Sequence, residues 1–480
     1  MTDTNNYTWI LGYLLFLLAC APKIAEKIIT PAPLDKDLEE VSNDNGEEIS
    51  ACTKFSDTPQ GEEALTAHVL YRDYLNAGDY EEAFPYWQKA YQIAPAADGK
   101  RNTHYTDGIK FFEYFHARET DVQKRQEYVD RIFQFYDEIE ACYGDPGYIA
   151  GLKAYDLSYK YPDRASDEER FNLFKKSIDI DGLNARFFIL NPFADLVVKE
   201  FETGGLEKFE AQKYTDLIFR RLDKGLKDGE NRVQWQIIKE YVPKRLEVFE
   251  GVKGFFDCDY YKNKYFIEFE NDTSNCEVIS DVYSRLRWGG CSGEDDELKQ
   301  LAEAREYHCI KEIPPSDARQ AYDALQEGNY EEAIEKFKDA ADNASDNNNK
   351  AAYLLLISKV YYSHLKQFRL ARKYALEAAN YRANWGEPYL LIGRLYASSG
   401  PLCGPGRGWD SQVVVWPAID KWRYAKRIDP TIAGEADNLI NDYEKYMPSI
   451  DDIFQRTLSV GQKFRVGCWI QETTTIRPAK

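Results

Sequence analysis

Small and aromatic residues recur at fixed spacing in three parts of the chain. In each part, an alanine is followed by a large aromatic residue four positions later and by a second alanine seven positions later. The three series are Ala83, Trp87 and Ala90; Ala333, Phe337 and Ala340; and Ala418, Trp422 and Ala425. These spacings fall on one face of an α-helix. Small residues there let a second helix approach closely, so the pattern predicts stacked helix pairs.

A second pattern gives the length of the repeating unit. Leu355 and Tyr362 lie 34 residues before Tyr389 and Tyr396. The segments with these residues lie between the segments with the last two alanine series along the chain. This arrangement resembles the tetratricopeptide repeat, whose period is about 34 residues. The resemblance implies an all-α fold, a right-handed superhelical stack of helix pairs. Residues 463–470 alternate partly between apolar and polar, which predicts a short extended or β-hairpin C-terminal tail.

The amino terminus predicts export. An apolar run from Trp9 to Ala19 is too short to span a bilayer and fits the core of a signal peptide. Its end, Leu17 to Cys20, resembles a bacterial lipobox, which implies cleavage before Cys20 and lipidation of that thiol. No Lys or Arg precedes the apolar run, so a plain secretory signal, an uncleaved anchor and a misassigned start remain alternatives.

The next residues have the composition of a tether. Seven acids and one Lys lie between Asp35 and Glu48. The segment 21–50 also contains three prolines and shows no helical or strand periodicity. Ala21, rather than an acid, follows Cys20. The resemblance to Gram-negative lipoproteins therefore favours the outer membrane, with the folded part facing the periplasm.

The cysteine count also fits an exported chain. Of nine cysteines, eight remain after Cys20 is assigned to the lipid, and an even number in an oxidising compartment predicts disulfides. Residues 258–270, 276–290 and 295–309 are predicted as successive antiparallel helices. Helix ends that meet then pair Cys258 with Cys291 and Cys276 with Cys309.

Several segments are similar to an exported repeat family of Bacteroidota. They are LYRDYLNAGDYEEAFPYWQKAYQIAP, LIGRLYASS, AIDKWRYAKRIDP and VGCWIQETTTIR. The family implies no particular function, and this chain departs from it at Ala94, where relatives often have a Cys. We expect the tail, through Cys468, to be pinned to Cys403, which leaves Cys52 with Cys142 by elimination.

Helix-breaking Pro and Gly residues, together with changes in composition, divide the chain into six expected segments. They are 1–19, a signal peptide; 20–50, a lipid-anchored acidic linker; 51–160, repeat-like helices; 161–313, irregular helical repeats with disulfides; 314–435, tetratricopeptide repeats with a Gly-rich insert at 399–415; and 436–480, a C-terminal helix and tail.

Motifs of catalysis and cofactor binding are missing from the sequence. There is no G-x-S-x-G or H-E-x-x-H, and the glycines of the insert lack the G-K-[ST] ending of a phosphate loop. A calcium loop after Asp179 would need an acid where Phe188 stands. The formal charge of −20 is opposite to that of most nucleic-acid binders. We therefore expect no enzymatic activity, no cofactor or metal, and no nucleic-acid partner.

Helical solenoids usually bind extended peptides or helices in an open groove. The first helix of each pair lines the groove in the repeat family, and the resemblance places Tyr353, Leu356, Val360, Glu387 and Arg394 there. We expect a scaffold or adaptor for another envelope protein, and service in a secretion, gliding or outer-membrane assembly machine would suit it. The alternative is an outer-membrane glycan-capture lipoprotein, which would need exposed aromatic residues such as Trp385 and Trp409 outside the packing positions.

Overall fold

The computed structural model describes residues 50–228, 230–309, 316–404, 406 and 408–480. The described part of the chain is all-α, with 75% of its residues in helices. It divides into two compact units, unit 1 up to Tyr143 and unit 2 from Gly144 to Lys480. The predicted signal peptide, Cys20 and nearly all of the acidic linker lie outside the described residues.

Unit 1 contains two successive helix pairs, and it is closed by a disulfide. Its helices are α1 (Gly61–Ala77), α2 (Tyr80–Ile93), α3 (Thr103–Arg118) and α4 (Val122–Tyr143). Helix α1 packs on α2 and α3 packs on α4. Trp87 is 2% exposed and donates its indole N–H to the carbonyl of His104 at 2.8 Å. The first and last segments of the unit are joined by Cys52–Cys142.

The first half of unit 2 is a cluster of longer helices around an aromatic and aliphatic core. These are α5 (Pro146–Tyr159), α6 (Asp167–Asp181), α7 (Phe187–Thr203), α8 (Lys208–Asp228) and α9 (Arg232–Leu246). Helix α6 begins with a capping box in which Ser166 and Glu169 satisfy each other's backbone N–H groups. Helix α7 packs against α6, α8 and α9, so its apolar sequence is buried from several sides.

Three helices with the two interleaved disulfides follow. They are α10 (Cys258–Asn271), α11 (Cys276–Trp288) and α12 (Asp296–His308). Asp257 and Asn275 cap the first two by accepting hydrogen bonds from backbone N–H groups. Cys258 is bonded to Cys291 and Cys276 to Cys309. These are the pairings expected from the helix ends.

The segment of unit 2 with the sequence repeats consists of consecutive helix pairs. The helices are α13 (Ser316–Gln326), α14 (Tyr330–Asp342), α15 (Asn347–Ser363), α16 (Phe368–Tyr381), α17 (Glu387–Ala397), α18 (Gly400–Cys403), α19 (Trp409–Val413), α20 (Val415–Ile428) and α21 (Ala433–Glu444). Helix α13 packs on α14, α15 on α16, and α17 on α20. The small residues act as expected: a Cβ atom at Gly393 would lie 2.2 Å from the indole nitrogen of Trp422.

The carboxyl end is a short helix and a hairpin that packs on the last helix pairs. Helix α22 (Ile450–Gln455) precedes strands β1 (Lys463–Arg465) and β2 (Thr473–Thr475). The strands pair antiparallel, with Phe464 opposite Thr474. Cys468, in the loop between them, is bonded to Cys403 of α18. Together with Cys52–Cys142, this bond gives the same four pairs that the sequence suggested.

Candidate functional site

Two of the residues expected to line an open groove are in the core instead. Tyr353 and Val360 of α15 are only 9% and 2% exposed, and Leu356 packs against the same core cluster. Their assignment to a binding face was therefore wrong for Tyr353 and Val360. The physical reason is that α15 is apolar nearly all round, and a helix of that composition is buried on more than one side.

The two charged groove candidates lie at the surface. Glu387 begins α17 and is half-buried, while Arg394, two turns later, has an exposed side chain. Arg394 donates a hydrogen bond to the carboxylate of Glu435 on α21 at 2.7 Å. Both partners are nearly half exposed, at 43% and 48%. A pair this open contributes little to stability, so other groups can compete for either partner.

Tyr362, Tyr443 and Tyr446 join Arg394 in a surface that crosses three helices. The hydroxyl of Ser398, the C-cap residue of α17, lies 2.7 Å from the Arg394 carbonyl and 3.4 Å from the hydroxyl of Tyr362 on α15. Burial raises the pKa of Tyr443 on α21; the Tyr362 phenol raises this pKa further, and the Arg394 charge lowers it. The Tyr443 ring lies 5.9 Å from that of Tyr446, which is 55% exposed. We call Tyr362, Arg394, Ser398, Tyr443 and Tyr446 the tyrosine–arginine surface.

The sequence contained part of the information for this surface. Arg394 was assigned to a binding face, but Tyr362 was interpreted only through its 34-residue spacing from Tyr396. In the structure, Tyr396 is fully buried whereas Tyr362 is only half-buried. Tyr443 and Tyr446 follow the recognised repeats, so no periodic signal indicated them.

The two tryptophans that the glycan alternative would need, Trp385 and Trp409, pack against neighbouring side chains. Trp385 is 9% exposed, with the guanidinium of Arg382 above its ring at 4.8 Å. Trp409 begins α19 and contacts Trp416 edge to face at a centroid distance of 5.6 Å. Trp385 is thus buried and Trp409 half-buried, so neither is the fully exposed aromatic residue that the glycan alternative would need.

A buried ionic cluster centres on Glu250, which is 1% exposed. Its carboxylate accepts hydrogen bonds from Lys264 and Tyr265, each at 2.6 Å, and lies 3.4 Å from the Lys366 ammonium. Burial alone would raise the pKa of Glu250, but Lys366 and Lys264 outweigh it and hold the pKa at about 2. The cluster also contains further acids and His364, which is buried. Burial lowers the pKa of the His364 imidazole to about 3. Most charged and hydrogen-bonding groups of the cluster pair with one another.

Another polar group in unit 2 lines an open cavity of about 210 Å³. Its walls come from α5, α6, α7, α9 and the insert; the polar lining includes Ser158, Tyr159, Asp167, Arg170, Asn191, Asp195, Lys199, Arg245, Gly404 and Asp410. Arg245 is 2% exposed and donates hydrogen bonds to Asp195 and to the carbonyl of Gly404, the latter at 3.0 Å. Burial lowers the pKa of Arg245, a sign of how strongly its charge is desolvated.

Three residues of this lining each have one polar atom that is buried from solvent and has no hydrogen-bond partner. They are the Nε groups of Arg170 and Arg245 and the Oδ1 atom of Asn191. Buried polar atoms are nearly always paired, so these three atoms are a local cost of the packing behind the cavity wall. The residues come from positions that are far apart in sequence, and no motif could have indicated the site.

In the part of the chain that the structure describes, one group of side chains has the spacing of metal ligands: Cys258, Cys291 and Asp295. The two sulfurs are joined to each other as a disulfide, so they are not thiolate ligands.

Within the same described residues, no helix has both the length and the apolar character needed to cross a bilayer. The four disulfides are typical of an oxidising, extracytoplasmic compartment.

Neither the known protein-family models nor the curated proteins include a match to this chain.

Proposed function

We propose that this protein is a non-enzymatic scaffold or adaptor of the cell envelope that binds another envelope protein through the tyrosine–arginine surface. Three helices carry this surface. Helix α15 packs on α16, α17 packs on α20, and α21 also packs on α20. In this proposal, the pairs are tetratricopeptide repeats in a right-handed stack. The surface would then correspond to the face of the first helices.

The composition of the surface carries the proposal. Tyrosine and arginine are enriched where proteins bind one another, because both offer a large contact area together with hydrogen-bond donors. Tyr446 exposes more than half of its surface, and Arg394 needs only to leave an exposed ion pair to reach a partner. A partner segment suits this arrangement if it offers carboxylates to Arg394 or hydrogen-bond acceptors to the tyrosine hydroxyls.

The cellular setting is part of the same proposal. A disulfide-bonded body behind an acidic tether and a lipobox-like Cys20 suits a lipoprotein of the outer membrane that faces the periplasm. The similarity to exported repeat proteins of Bacteroidota supports this placement. Service in a secretion, gliding or outer-membrane assembly machine would suit a scaffold there. The packed positions of Trp385 and Trp409 give the glycan-capture alternative no particular support.

A charge exchange tests the proposed surface. The double variant Arg394→Glu and Glu435→Arg keeps an ion pair between α17 and α21 but reverses the charge offered at each position. We expect crosslinked partners copurified from membranes to fall about tenfold or more, since charged interfacial hydrogen bonds contribute strongly to affinity. Quantitative mass spectrometry of the captured proteins is the measurement, with the melting temperature as the check on folding.

The chain offers a matched control for this exchange. Lys426 of α20 and Asp437 of α21 form another exposed ion pair that ends on the same helix, at 36% and 52% exposure. The double variant Lys426→Asp and Asp437→Lys should retain the partners at the wild-type yield. Equal loss in both variants, or full retention in the Arg394 variant, would place the binding surface elsewhere.

A further inference from the structure

Two histidines of unit 1 share a hydrogen bond between α1 and α3. Nδ1 of His68 lies 2.8 Å from Nε2 of His104. The other ring nitrogen of His104, Nδ1, lies 3.0 Å from the carbonyl oxygen of Ala94. A carbonyl oxygen only accepts, so His104 carries its proton on Nδ1, and its Nε2 accepts from the Nδ1–H group of His68. Both hydrogen bonds are thus formed while the two imidazoles are neutral.

The folded pair has little room for added protons. A proton on each ring would place two N–H groups and two positive charges against each other. His104 is 0% exposed, so its charged form would have no water around it. Burial lowers the pKa of both imidazoles from the ordinary 6.5, and for His104, which the adjacent His68 lowers further, it is about 4. The folded pair therefore binds fewer protons than two exposed imidazoles do.

The titratable groups that face the pair come from α1, α3 and the loop after α2. They are Tyr71, Arg72, Asp98, Arg101 and Asp107. Asp107 is 1% exposed and already pairs with Arg72 at 2.6 Å and with Lys110 at 2.8 Å, and Tyr71 donates to it. Asp98 pairs with Arg101 at 2.9 Å. Because each acid is bonded to a cation, neither offers a protonated imidazole an unshared negative charge.

The first described residues of the chain pack on this pair. We call residues 50–57 the N-terminal segment and residues 94–101 the Ala94 loop. The ring of Phe55 meets both imidazoles edge to face, at centroid distances of 5.8 and 5.7 Å. The Phe55 N–H group donates to the carbonyl of Ala97, and that of Ala96 to the carbonyl of Thr53, each at 2.9 Å. The segment is thus bonded to the loop that His104 holds.

The charged residues of the N-terminal segment are bonded within unit 1. The carboxylate of Asp57 accepts from the backbone N–H group of Lys54 at 3.1 Å. The Lys54 side chain lies against Gly99 of the Ala94 loop. The contacts of the segment with the two histidines are therefore made through the apolar ring of Phe55, which suits neutral imidazoles and not charged ones.

We propose that the His68–His104 pair is an acid-sensitive latch, which holds the N-terminal segment on unit 1 at neutral pH and releases it on acidification. Proton uptake ends the hydrogen bond between the rings and draws the charged imidazoles towards water. Phe55 and the Ala94 loop then lose the surface on which they pack. Cys52–Cys142 still joins the segment to α4, so the release is local.

Hydrogen exchange of the full-length chain at pH 7.5 and pH 5.5, read by mass spectrometry, tests the latch. Rates are corrected for the intrinsic pH dependence of amide exchange. Each imidazole that stays neutral when folded, but has its ordinary pKa of 6.5 when released, favours the open form about tenfold at pH 5.5. We expect exchange in the N-terminal segment and the Ala94 loop to rise more than about tenfold, up to about a hundredfold.

The variant His68→Gln keeps a donor for His104 but cannot take up a proton. Its exchange in the same two segments should rise by about tenfold at most, and by less than in the wild type. The control His308→Gln removes a histidine of α12, in unit 2, and should respond as the wild type does. Nuclear magnetic resonance titration of the wild-type imidazoles is a second measurement, which needs no variant, and should give both rings of the pair a pKa below 6.5.

Other results overturn the latch. They include equal corrected exchange at the two pH values in the wild type, and a response in His68→Gln as large as in the wild type. A ring of the pair that titrates at 6.5 or above also contradicts it. An increase spread evenly over α1–α4 would show acid unfolding of unit 1 instead of release of one segment. None of these readings involves the tyrosine–arginine surface, so failure here leaves the proposed partner binding untouched.

Discussion

Glu250 illustrates how a single buried charge depends on its neighbours. Its carboxylate accepts from Tyr260, Lys264 and Tyr265, while its backbone carbonyl accepts from the indole of Trp288 at 2.8 Å. Side-chain and main-chain contacts of one residue therefore connect the 3₁₀ turn at Glu247–Gly251 to α10 and α11. Removal of the charge would leave the ammonium groups of Lys264 and Lys366 without their buried partner.

We predict that Glu250→Gln destabilises the protein by about 3 kcal/mol at neutral pH. The folded pKa of about 2 is below the ordinary 4.5, so the carboxylate's contribution is complete above pH 4.5 and is lost as the pH falls towards 2. The variant should therefore show a shallower loss of stability over that range. Urea unfolding of both proteins across this pH range measures the difference.

Glu247→Gln is the control for the Glu250 prediction. Glu247 also approaches the Lys264 ammonium, at 2.8 Å, but its side chain is 32% exposed. This variant should cost less than about 1 kcal/mol, as expected of an accessible ion pair. A loss as large as that of Glu250→Gln would show that burial of the carboxylate is not the cause.

Residue-level predictions from the sequence succeeded where one local pattern decided the outcome. The alanines at repeat positions are buried, and Arg394 is exposed, because helical periodicity fixes both. Tyr353 was placed wrongly because its face was chosen from the repeat register, whereas neighbouring side chains on every side of α15 are also apolar. The cavity was beyond prediction, since its charges are brought together only by the packing of distant helices.

At the scale of elements, the C-terminal hairpin depends on a few links to the helices beneath it. Arg372 of α16 donates to the carbonyl of Ile470 at 2.7 Å, and Arg477 pairs with Asp420 of α20, also at 2.7 Å. Trp469 is 8% exposed and packs edge to face on Tyr396. The disulfide Cys403–Cys468 adds a covalent link from the hairpin loop to the insert.

We predict that Cys403→Ala with Cys468→Ala lowers the stability of unit 2 by about 2–4 kcal/mol, because the unfolded chain loses a constraint. Hydrogen exchange should increase most in the hairpin, at residues 463–475, where few backbone pairs hold the strands. Mass spectrometry after deuterium labelling measures this effect.

Cys52→Ala with Cys142→Ala is the comparison for the hairpin disulfide. This pair lies within unit 1, so its removal should leave exchange in the hairpin unchanged. Equal exchange of the hairpin in wild type and in the Cys403 variant would mean that the noncovalent links alone hold the tail.

Secondary-structure elements were the most predictable level of this molecule. Helices expected at 258–270, 276–290 and 295–309 agree with α10, α11 and α12 within about three residues. Capping residues and Gly turns delimit these helices locally, which is why their ends, and the cysteines at them, could be paired. The faces that the helices present to distant neighbours required the structure.

At the scale of the whole molecule, one disulfide bears on the proposed lipid anchor. Unit 1 follows the acidic segment, and Cys52–Cys142 ties its first described residues to its last helix. In the proposed lipid-anchored form, a pull on residues 20–50 would be carried across unit 1 by this covalent bond.

We predict that the full-length protein is labelled by a fatty-acid analogue in a Gram-negative host, and that Cys20→Ala removes the label. The lipobox-like end of the apolar run is the reason, since lipidation occurs at a cysteine in that position. Fluorescence of the labelled band after click chemistry measures the effect. Cys52→Ala is the control, and loss of label in it, or an unlabelled wild-type chain, would contradict lipid anchoring.

The order of the disulfides along the chain sets a demand on the cell that makes the protein. During synthesis, Cys258 and Cys276 are made before Cys291 and Cys309. Each of the first two is nevertheless bonded to one of the later two. Oxidation in order of emergence would join Cys258 to Cys276, the wrong pair. The native bonds require that α10 and α11 form before the thiols react, or that wrong bonds are exchanged afterwards. The yield of this protein should therefore follow the disulfide isomerase activity of its host.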